Sequence, residues 1–288
     1  MKGHRIGRLT VIGVGLIGGS LGLALKEAGF VGEVVGCGRG KPNLEAALRL
    51  GIIDRYERDP QKAVLGADLV FLATPVRTLA DLVREIAPAL KDGAILTDGG
   101  SVKGSVLREV SPLVPAGVHF IAGHPIAGTE NSGAEAAFST LYQGKRCILT
   151  PNTQTDAGAL EVVSAMWRAV GSEVICMPAE KHDRVLAAIS HLPHMVAYSL
   201  VNAVGSYDHY EENILEYSAG GFRDFTRIAS SDPTMWRDIA LTNQVALLEM
   251  MDQFQLFFDE LKEDIRKGDI DRLCEFFLRS KQLRDAIL

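Results

Sequence analysis

From Arg8 to about Cys176, short β-branched runs alternate with helix-like segments. The runs Leu9–Val14, Glu33–Gly36, Leu69–Ala73, Ala94–Asp98, His119–Ala122, Arg146–Leu149 and Glu173–Cys176 are mostly apolar on both faces, as strands buried inside a parallel sheet are. Leu16–Ala28, Asn43–Leu50, Leu79–Leu90 and Asp156–Val170 read as the intervening helices. This alternation predicts an α/β, doubly wound sheet. After Cys176 the strand signals stop. Pro178 and Glu180 suit the first turn of a helix running to about Val204, which Pro193 should kink, freeing backbone carbonyls. Asp232-Pro233 writes a second start, an N-cap followed by proline at the first helical position. Leu247, Met251, Phe254, Phe258, Leu261 and Ile265 then recur at spacings of four and three, an apolar stripe on one long helix. Leu273, Phe276, Phe277, Leu283 and Ile287 predict a last amphipathic helix. These stripes either fill a helical core or pack in part on a second subunit. The pattern divides the chain into a sheet domain over residues 1–176 and an all-helical domain over 177–288, abutting across a cleft.

Composition changes little in this picture. A length of 288 residues allows two domains, and 47% hydrophobic with 23% charged residues is ordinary soluble usage, which excludes disordered and collagen-like classes. Thirty basic against 36 acidic side chains give a net charge of −6, so no nucleic-acid partner is expected, although a local basic pocket is allowed. Met1–Arg8 is charged but lacks a cleavage pattern, and no apolar run is long enough to span a bilayer, so a cytoplasmic protein without leader or membrane anchor is expected. Cys37, Cys147, Cys176 and Cys274 form no CxxC pair, which argues against structural zinc and a disulfide framework.

The segment Gly13-Val14-Gly15-Leu16-Ile17-Gly18 puts GxGxxG between the first strand and the first helix. There Gly13 permits a tight turn, Gly15 lets backbone approach a pyrophosphate, and Gly18 lets the helix pack near the strand, with the amides of Leu16 and Ile17 at the helix start facing the phosphates. The bland alternative is a tight turn that merely needs glycine. Thr74 and Pro75, just past the third strand run, are further candidates for contact with the dinucleotide. At the end of the second strand, where an NAD enzyme usually carries an acid, the chain reads Gly36-Cys37-Gly38-Arg39-Gly40-Lys41. Either NAD or NADP fits, with a slight lean to NADP because Arg39 and Lys41 suit a 2′-phosphate; Arg39 stacked on adenine would leave both usable.

Three polar clusters supply candidate chemistry: 98–104 with Ser101, 119–130 with His124, and 190–194 with His191 and His194. The first two follow strands, where ligands of open α/β sheets bind. Gly100-Ser101-Val102-Lys103, the run from Gly123 to Glu130, Ser190-His191-Leu192-Pro193-His194 and the run from Gly220 to Ala229 resemble, in the same order, the prephenate and arogenate dehydrogenases of tyrosine biosynthesis. The resemblance runs from about Leu9 to Trp236. It implies a Rossmann-like domain joined to a helical dimerisation domain, with a homodimer formed through the latter. The implied reaction is NAD(P)-dependent oxidative decarboxylation of prephenate, or of arogenate, in the cleft. His124 would take the ring hydroxyl's proton, Ser101 would orient that histidine and the nicotinamide, and Arg227 would bind a substrate carboxylate. His191, His194, Thr129, Glu130, Gly220, Asp224 and Trp236 would complete the substrate site, Trp236 near the partner's pocket and Asp224 restraining Arg227.

The residues themselves leave plainer roles open. His124 could be a satisfied core histidine, Ser101 an N-cap for the helix near Lys103, Thr129-Glu130 a helix cap, and Trp236 core packing. The histidines at 191 and 194 lie on one helix face, but no further ligand motif accompanies them, so no metal is expected. Glu130 could favour arogenate's ammonium. Tyrosine, resembling the product, could inhibit competitively in the same pocket. Two other readings keep the dinucleotide fold: a dehydrogenase of the β-hydroxyacid or 6-phosphogluconate type, for which Lys181 is poorly placed as base, and a non-catalytic dinucleotide sensor, which would be expected to lose Ser101, His124 or Arg227.

Overall fold

The computed structural model describes residues 6–207 and 214–287, so the first five residues of the charged Met1–Arg8 segment lie outside the described residues. In chain order the elements are β1 (Ile6–Ile12), α1 (Leu16–Glu27), β2 (Val31–Cys37), α2 (Lys41–Arg49), β3 (Arg55–Glu57), α3 (Pro60–Val64), β4 (Leu69–Leu72), α4 (Leu79–Ile86), β5 (Ile95–Asp98), α5 (Gly104–Val110), β6 (His119–Ile121), β7 (Gly123–Pro125), β8 (Arg146–Leu149), α6 (Ala157–Ala169) and β9 (Glu173–Cys176). The helices α7 (Ala179–Leu186), α8 (Leu192–Tyr207), α9 (Gly220–Thr226), α10 (Pro233–Thr242), α11 (Gln244–Lys267) and α12 (Ile270–Asp285) follow.

Six parallel strands lie in the order β3-β2-β1-β4-β5-β6, the doubly wound arrangement that the alternating pattern predicts. The order reverses between β1 and β4, and the crevice beyond their carboxyl ends is where such sheets bind ligands. Period-two alternation sorts the core onto both faces. Leu69 and Phe71 of β4 pack with Leu9, Val11, Leu25 and Trp167 on one side, whereas Val70 and Leu72 pack with Val83, Leu96 and Val106 on the other.

Two strands were not legible as runs, β3 and β7, and the last two runs do not extend the main sheet. Instead β8 pairs antiparallel with β7 and parallel with β9 in a separate three-stranded sheet. The cause lies at Gly123: the chain passes from β6 to β7 with no helix between. A Cβ at Gly123 would stand 3.2 Å from the Asp98 carbonyl, so glycine allows the second sheet to close on the end of β5.

The helix after Pro178 is interrupted rather than simply kinked: Ala187–His191 forms a π turn between α7 and α8. Pro193 has no N–H to return to the carbonyl of Ile189, and widening the turn just before it accommodates the missing bond. Asp232 caps α10 as the sequence predicts, its carboxylate accepting from the Met235 amide at 2.8 Å, with Pro233 at the first helical position.

By packing, residues through Gln244 form one compact unit and Val245–Leu288 a second. In the second unit Gly268, at φ +65°, turns the chain between α11 and α12, and the Asp269 carboxylate caps α12 by accepting from the Arg272 amide. The Arg272 guanidinium reaches Glu260 at 3.0 Å and Asp264 at 3.2 Å. Leu247 is buried, but Met251, Phe254, Phe258, Ile265, Phe277, Leu283 and Ile287 remain exposed, so the apolar stripes are only partly consumed by the chain's own core.

Candidate functional site

The glycine loop divides its labour physically. Gly13 sits at φ +99° with the Ala73 carbonyl 2.4 Å from where a Cβ would be, and a Cβ at Gly18 would lie 2.2 Å from the Gly13 carbonyl. Both glycines are therefore needed for the chain to close on itself. Gly15 differs: nothing lies within 4 Å of its Cβ position, and its φ of −107° suits any residue. As N-cap of α1 it offers no side chain to the first-turn amides, including those of Leu16 and Ile17, which stay available to an anion. An open space before an uncapped helix N-terminus at the sheet's switch point fits a dinucleotide pyrophosphate. Thr74 borders Gly13, its amide 3.1 Å from the same Cβ position, and its hydroxyl accepts from Thr78 Oγ1 at 2.9 Å; Pro75 beside it is exposed. Past β2, Arg39 is exposed, its carbonyl accepts from Arg58 at 3.2 Å, and among the described residues its guanidinium has no carboxylate partner, whereas Lys41 pairs with Glu45.

Two loops at the carboxyl end of the sheet are tied together from beneath. Lys103 and Asp98 are both fully buried and ion-paired, and Lys103 Nζ also donates to the Gly123 carbonyl at 2.7 Å. Asp98 in turn accepts from the amides of Gly100 at 2.8 Å and Gly123 at 3.1 Å. One buried pair thus fixes the residues next to Ser101 and His124. Ser101 is half-buried and does not cap α5. That duty falls to Asp183 of α7, whose two carboxylate oxygens accept from the amides of Lys103 and Gly104, each at 2.8 Å.

His124 is buried, and its bonded partner is His182, with Nδ1 2.9 Å from His182 Nε2. His182 Nδ1 lies 2.8 Å from Asp183 Oδ1. Burial alone would raise the Asp183 pKa, but the bonds from His182 and the two amides outweigh it and hold the carboxyl below its ordinary range. An ionised Asp183 only accepts, so His182 donates from Nδ1 and accepts at Nε2, and His124 donates from Nδ1. The lone pair of His124 is thereby left on Nε2. Burial first, then the fields of His182, Lys103 and His191, keeps His124 well below its ordinary pKa of 6.5, so the ring is neutral and able to accept a proton.

The π turn and α10 bring the other histidines to the same region. Asn243 Nδ2 donates to the Asp183 carbonyl at 2.9 Å and lies 3.1 Å from His191 Nδ1. Nδ1 of His191 therefore accepts and Nε2 carries the proton; Nε2 is buried without a partner among the described residues. Burial, then His182, lowers the His191 pKa to about 4. His194 donates from Nδ1 to the Ser190 carbonyl and stacks on Trp236 with ring centroids 3.7 Å apart. Trp236 packs within its own chain, against Val102 and Ile239 as well. Burial, countered by that carbonyl and reinforced by Arg227, lowers the His194 pKa. Arg227 pairs with Glu130 at 3.3 Å, both exposed, and not with Asp224, which is exposed and has no ion-pair partner among the described residues. Thr129 caps no helix: its hydroxyl accepts from the Asn131 amide in a local turn. Gly220 opens α9 and is exposed, with nothing within 4 Å of its Cβ position.

Asp98 and Lys103 lie in the 98–104 cluster, where the sequence assigns them no role, and His182, Asp183 and Asn243 lie outside every motif, yet these five carry much of the geometry. A signal was present for two of them. Ala179, His182, Asp183 and Leu186 recur at the i, i+3, i+4, i+7 positions of a helix's core face, and all four are buried. A His-Asp pair at core positions calls for partners.

The chain as a whole is similar to known proteins. A family model described as "Prephenate dehydrogenase, nucleotide-binding domain" matches residues 21–177, and "Prephenate dehydrogenase, dimerization domain" matches 178–279. A cyclohexadienyl dehydrogenase from Zymomonas mobilis is 40% identical over 97% of this chain and 95% of its own length. A prephenate dehydrogenase from Bacillus subtilis is 35% identical over 97% of this chain and 76% of its own. The crystal structure of prephenate dehydrogenase from A. aeolicus in complex with hydroxyphenyl propionate and NAD+ superposes with a TM-score of 0.92, at 37% identity over 98% of both chains. With both parts of the family description matched in order along one chain, this protein belongs to the prephenate dehydrogenase family.

Proposed function

We propose that this chain catalyses the oxidative decarboxylation of prephenate to 4-hydroxyphenylpyruvate, or of arogenate to tyrosine, with NAD or NADP. The observation that carries the reading is the buried neutral His124, its lone pair left on Nε2, on a loop that the Asp98–Lys103 pair ties to the loop carrying Ser101. When bound, the nicotinamide supplies the acceptor for the two electrons of the ring C–H bond. His124 Nε2 takes the hydroxyl proton as the carbonyl character develops. Ser101, with no side-chain bond of its own among the described residues, is free to bind the same oxygen. His191 Nε2–H is a donor in need of an acceptor, which a substrate carboxylate or hydroxyl provides. Arg227 meets a carboxylate once it exchanges Glu130 for substrate, and Glu130 then stands where it bears on the choice between keto acid and ammonium substrate. His194, Trp236, Thr129, Gly220 and Asp224 form the rest of the proposed substrate surface. Gly13, Gly15, Leu16, Ile17, Gly18, Thr74, Pro75 and Ser101 form the cofactor surface.

Arg39, with no carboxylate partner, favours NADP slightly over NAD. The exposed stripes on α11 and α12 are the surface through which we infer a homodimer, in keeping with the family description of residues 178–279 as a dimerisation domain. We place the boundary between the sheet domain and the helical domain near Cys176–Pro178, where the strand signals stop. Among the described residues no helix is long and apolar enough to cross a membrane, and we place the protein in the cytoplasm. Tyrosine is a candidate competitive inhibitor of the same pocket.

The test is the appearance of reduced cofactor by near-ultraviolet absorbance with prephenate and arogenate, each against NAD and NADP. Turnover with at least one pair is expected, and silence in all four refutes the reading. His124→Asn should keep substrate affinity and lose turnover by about 10²-fold or more.

A further inference from the structure

We propose that His182 and Asp183 form a proton relay behind His124, which holds the substrate's hydroxyl proton equivalent while the ring is oxidised and returns it when the ring becomes aromatic. The inference rests on the dehydrogenase reading above and adds to it two residues that touch neither substrate nor cofactor.

The geometry requires no rearrangement. His124 Nδ1 and His182 Nε2 are 2.9 Å apart, and His182 Nδ1 and Asp183 Oδ1 are 2.8 Å apart, so three groups are already in hydrogen-bond contact in one line of donors. In the oxidative step the substrate O–H bond breaks and a bond to His124 Nε2 forms, while the Nδ1–H bond of His124 breaks and a bond to His182 Nε2 forms. His124 ends neutral with its proton on Nε2, and the positive charge rests on His182 against the Asp183 carboxylate. In the second step the bond to the departing carboxylate breaks, carbon dioxide leaves, and its electron pair makes the ring aromatic and returns charge to oxygen. That oxygen takes the proton from His124 Nε2, and His182 Nε2 gives its proton back to His124 Nδ1. Protons and charge balance over the two steps, and solvent need not take part.

The surroundings explain why the charge is better placed on the second ring. His124 is disfavoured as a cation by burial first and also by the field of the Lys103 ammonium, and among the described residues no carboxylate bonds to it. Burial first, with Lys103, also holds His182 below its ordinary pKa, but Asp183 bonded to it and Asp98 nearby both favour its protonated form, a support that His124 lacks. Asp183 is held in place by the amides of Lys103 and Gly104, and Asn243 holds the carbonyl of the same residue. The two amides thus hold the carboxylate in place and keep it ionised, while Asn243 anchors the backbone of the same residue.

The experiment compares wild type with His182→Gln and Asp183→Asn, using kcat, KM and the pH profile of kcat/KM. The glutamine side chain in His182→Gln retains an oxygen that can accept from His124 Nδ1–H but cannot take up charge, so kcat should fall about tenfold or more with KM changed little. Asp183→Asn should also lower kcat, and because the carboxylate favours the protonated relay, the acid limb of kcat/KM should move to lower pH. A purely structural role would raise KM or lower the melting temperature without moving that limb. A kcat within about twofold of wild type in His182→Gln, or an unmoved acid limb in folded Asp183→Asn, overturns the relay. Histidine ¹⁵N NMR of the unliganded wild type decides the matter even if the variants fail to fold: His124 should carry its proton on Nδ1, and an Nε2–H tautomer overturns the proposal. Absence of wild-type turnover with prephenate and arogenate under either cofactor would instead bring down the dehydrogenase reading itself, and turnover retained in His124→Asn would show that His124 is not the base, which separates the failures.

Discussion

Replacing Lys103 with methionine removes a buried charge while nearly conserving shape. Lys103 and Asp98 have no solvent-exposed side-chain surface, so Lys103→Met strands the Asp98 carboxylate with only the amides of Gly100 and Gly123 as partners. It also deprives the Gly123 carbonyl of the donor that reached it at 2.7 Å. Breaking a buried pair by deleting one partner costs about 3–5 kcal/mol, out of a net domain stability of roughly 5–15 kcal/mol. Asp98→Asn alone strands the ammonium and should cost a similar amount. In the double variant no charge is stranded and only hydrogen bonds are lost, so its cost should be about 2–3 kcal/mol, several kcal/mol less than the sum of the two singles. Urea unfolding followed by tryptophan fluorescence, at one fixed protein concentration because association would contribute to stability, measures all three. Additive costs, or a loss below about 1 kcal/mol for Lys103→Met, would refute the view that this pair is an electrostatic clamp under Ser101 and His124.

The glycine loop and the buried histidines yield two further expectations. Gly15→Ala should leave the melting temperature unchanged and weaken dinucleotide binding, since its added methyl group meets only the space the pyrophosphate would use, whereas Gly18→Ala should destabilise the fold because its Cβ would lie 2.2 Å from the Gly13 carbonyl; cofactor titration and thermal unfolding separate them, and unchanged affinity in Gly15→Ala would contradict the assignment. His191, at about 4 when folded against 6.5 ordinarily, binds its proton better in the unfolded chain, so its contribution is fully present above about pH 6.5 and is lost as pH falls, reaching about 3 kcal/mol near pH 4. His191→Gln should flatten that acid limb of the urea midpoint, and an equally steep fall in the variant would show that other groups are responsible.

How far the sequence carried depends on whether a residue's role is local. The strands of the main sheet other than β3 are legible because they are mostly apolar on both faces, and Asp232-Pro233 is legible because capping involves residues a few positions apart. β3 and β7 are three residues each and carry no alternation long enough to read; β7, with His124 at its centre, exists because β8 returns to pair with it. The π turn is a similar case. Pro193 announces a defect in the helix, but which backbone solution absorbs it depends on packing around Ala187 and His191, both buried.

The same distinction governs the site. Ser101, His124, Arg227 and the glycines stand in motifs, and their neighbours in sequence announce them. The groups that set their protonation and position come from distant points: Asp183 caps α5 across 80 residues of chain, and Asn243 reaches His191 across 52. Asp183 therefore does two jobs that no local pattern connects, completing the start of a helix in the sheet domain and orienting the ring that orients His124. This coupling explains why Ser101, the natural N-cap by sequence, does not cap: with Asp183 accepting from the amides of Lys103 and Gly104, the serine hydroxyl is released from structural duty. A hydroxyl freed in this way, three residues before a helix whose start is satisfied from elsewhere, is available to a ligand at no cost in helix stability. The chemistry at the end of β5 and the integrity of α7 are for that reason one structural question, and a substitution at Asp183 should be read at both.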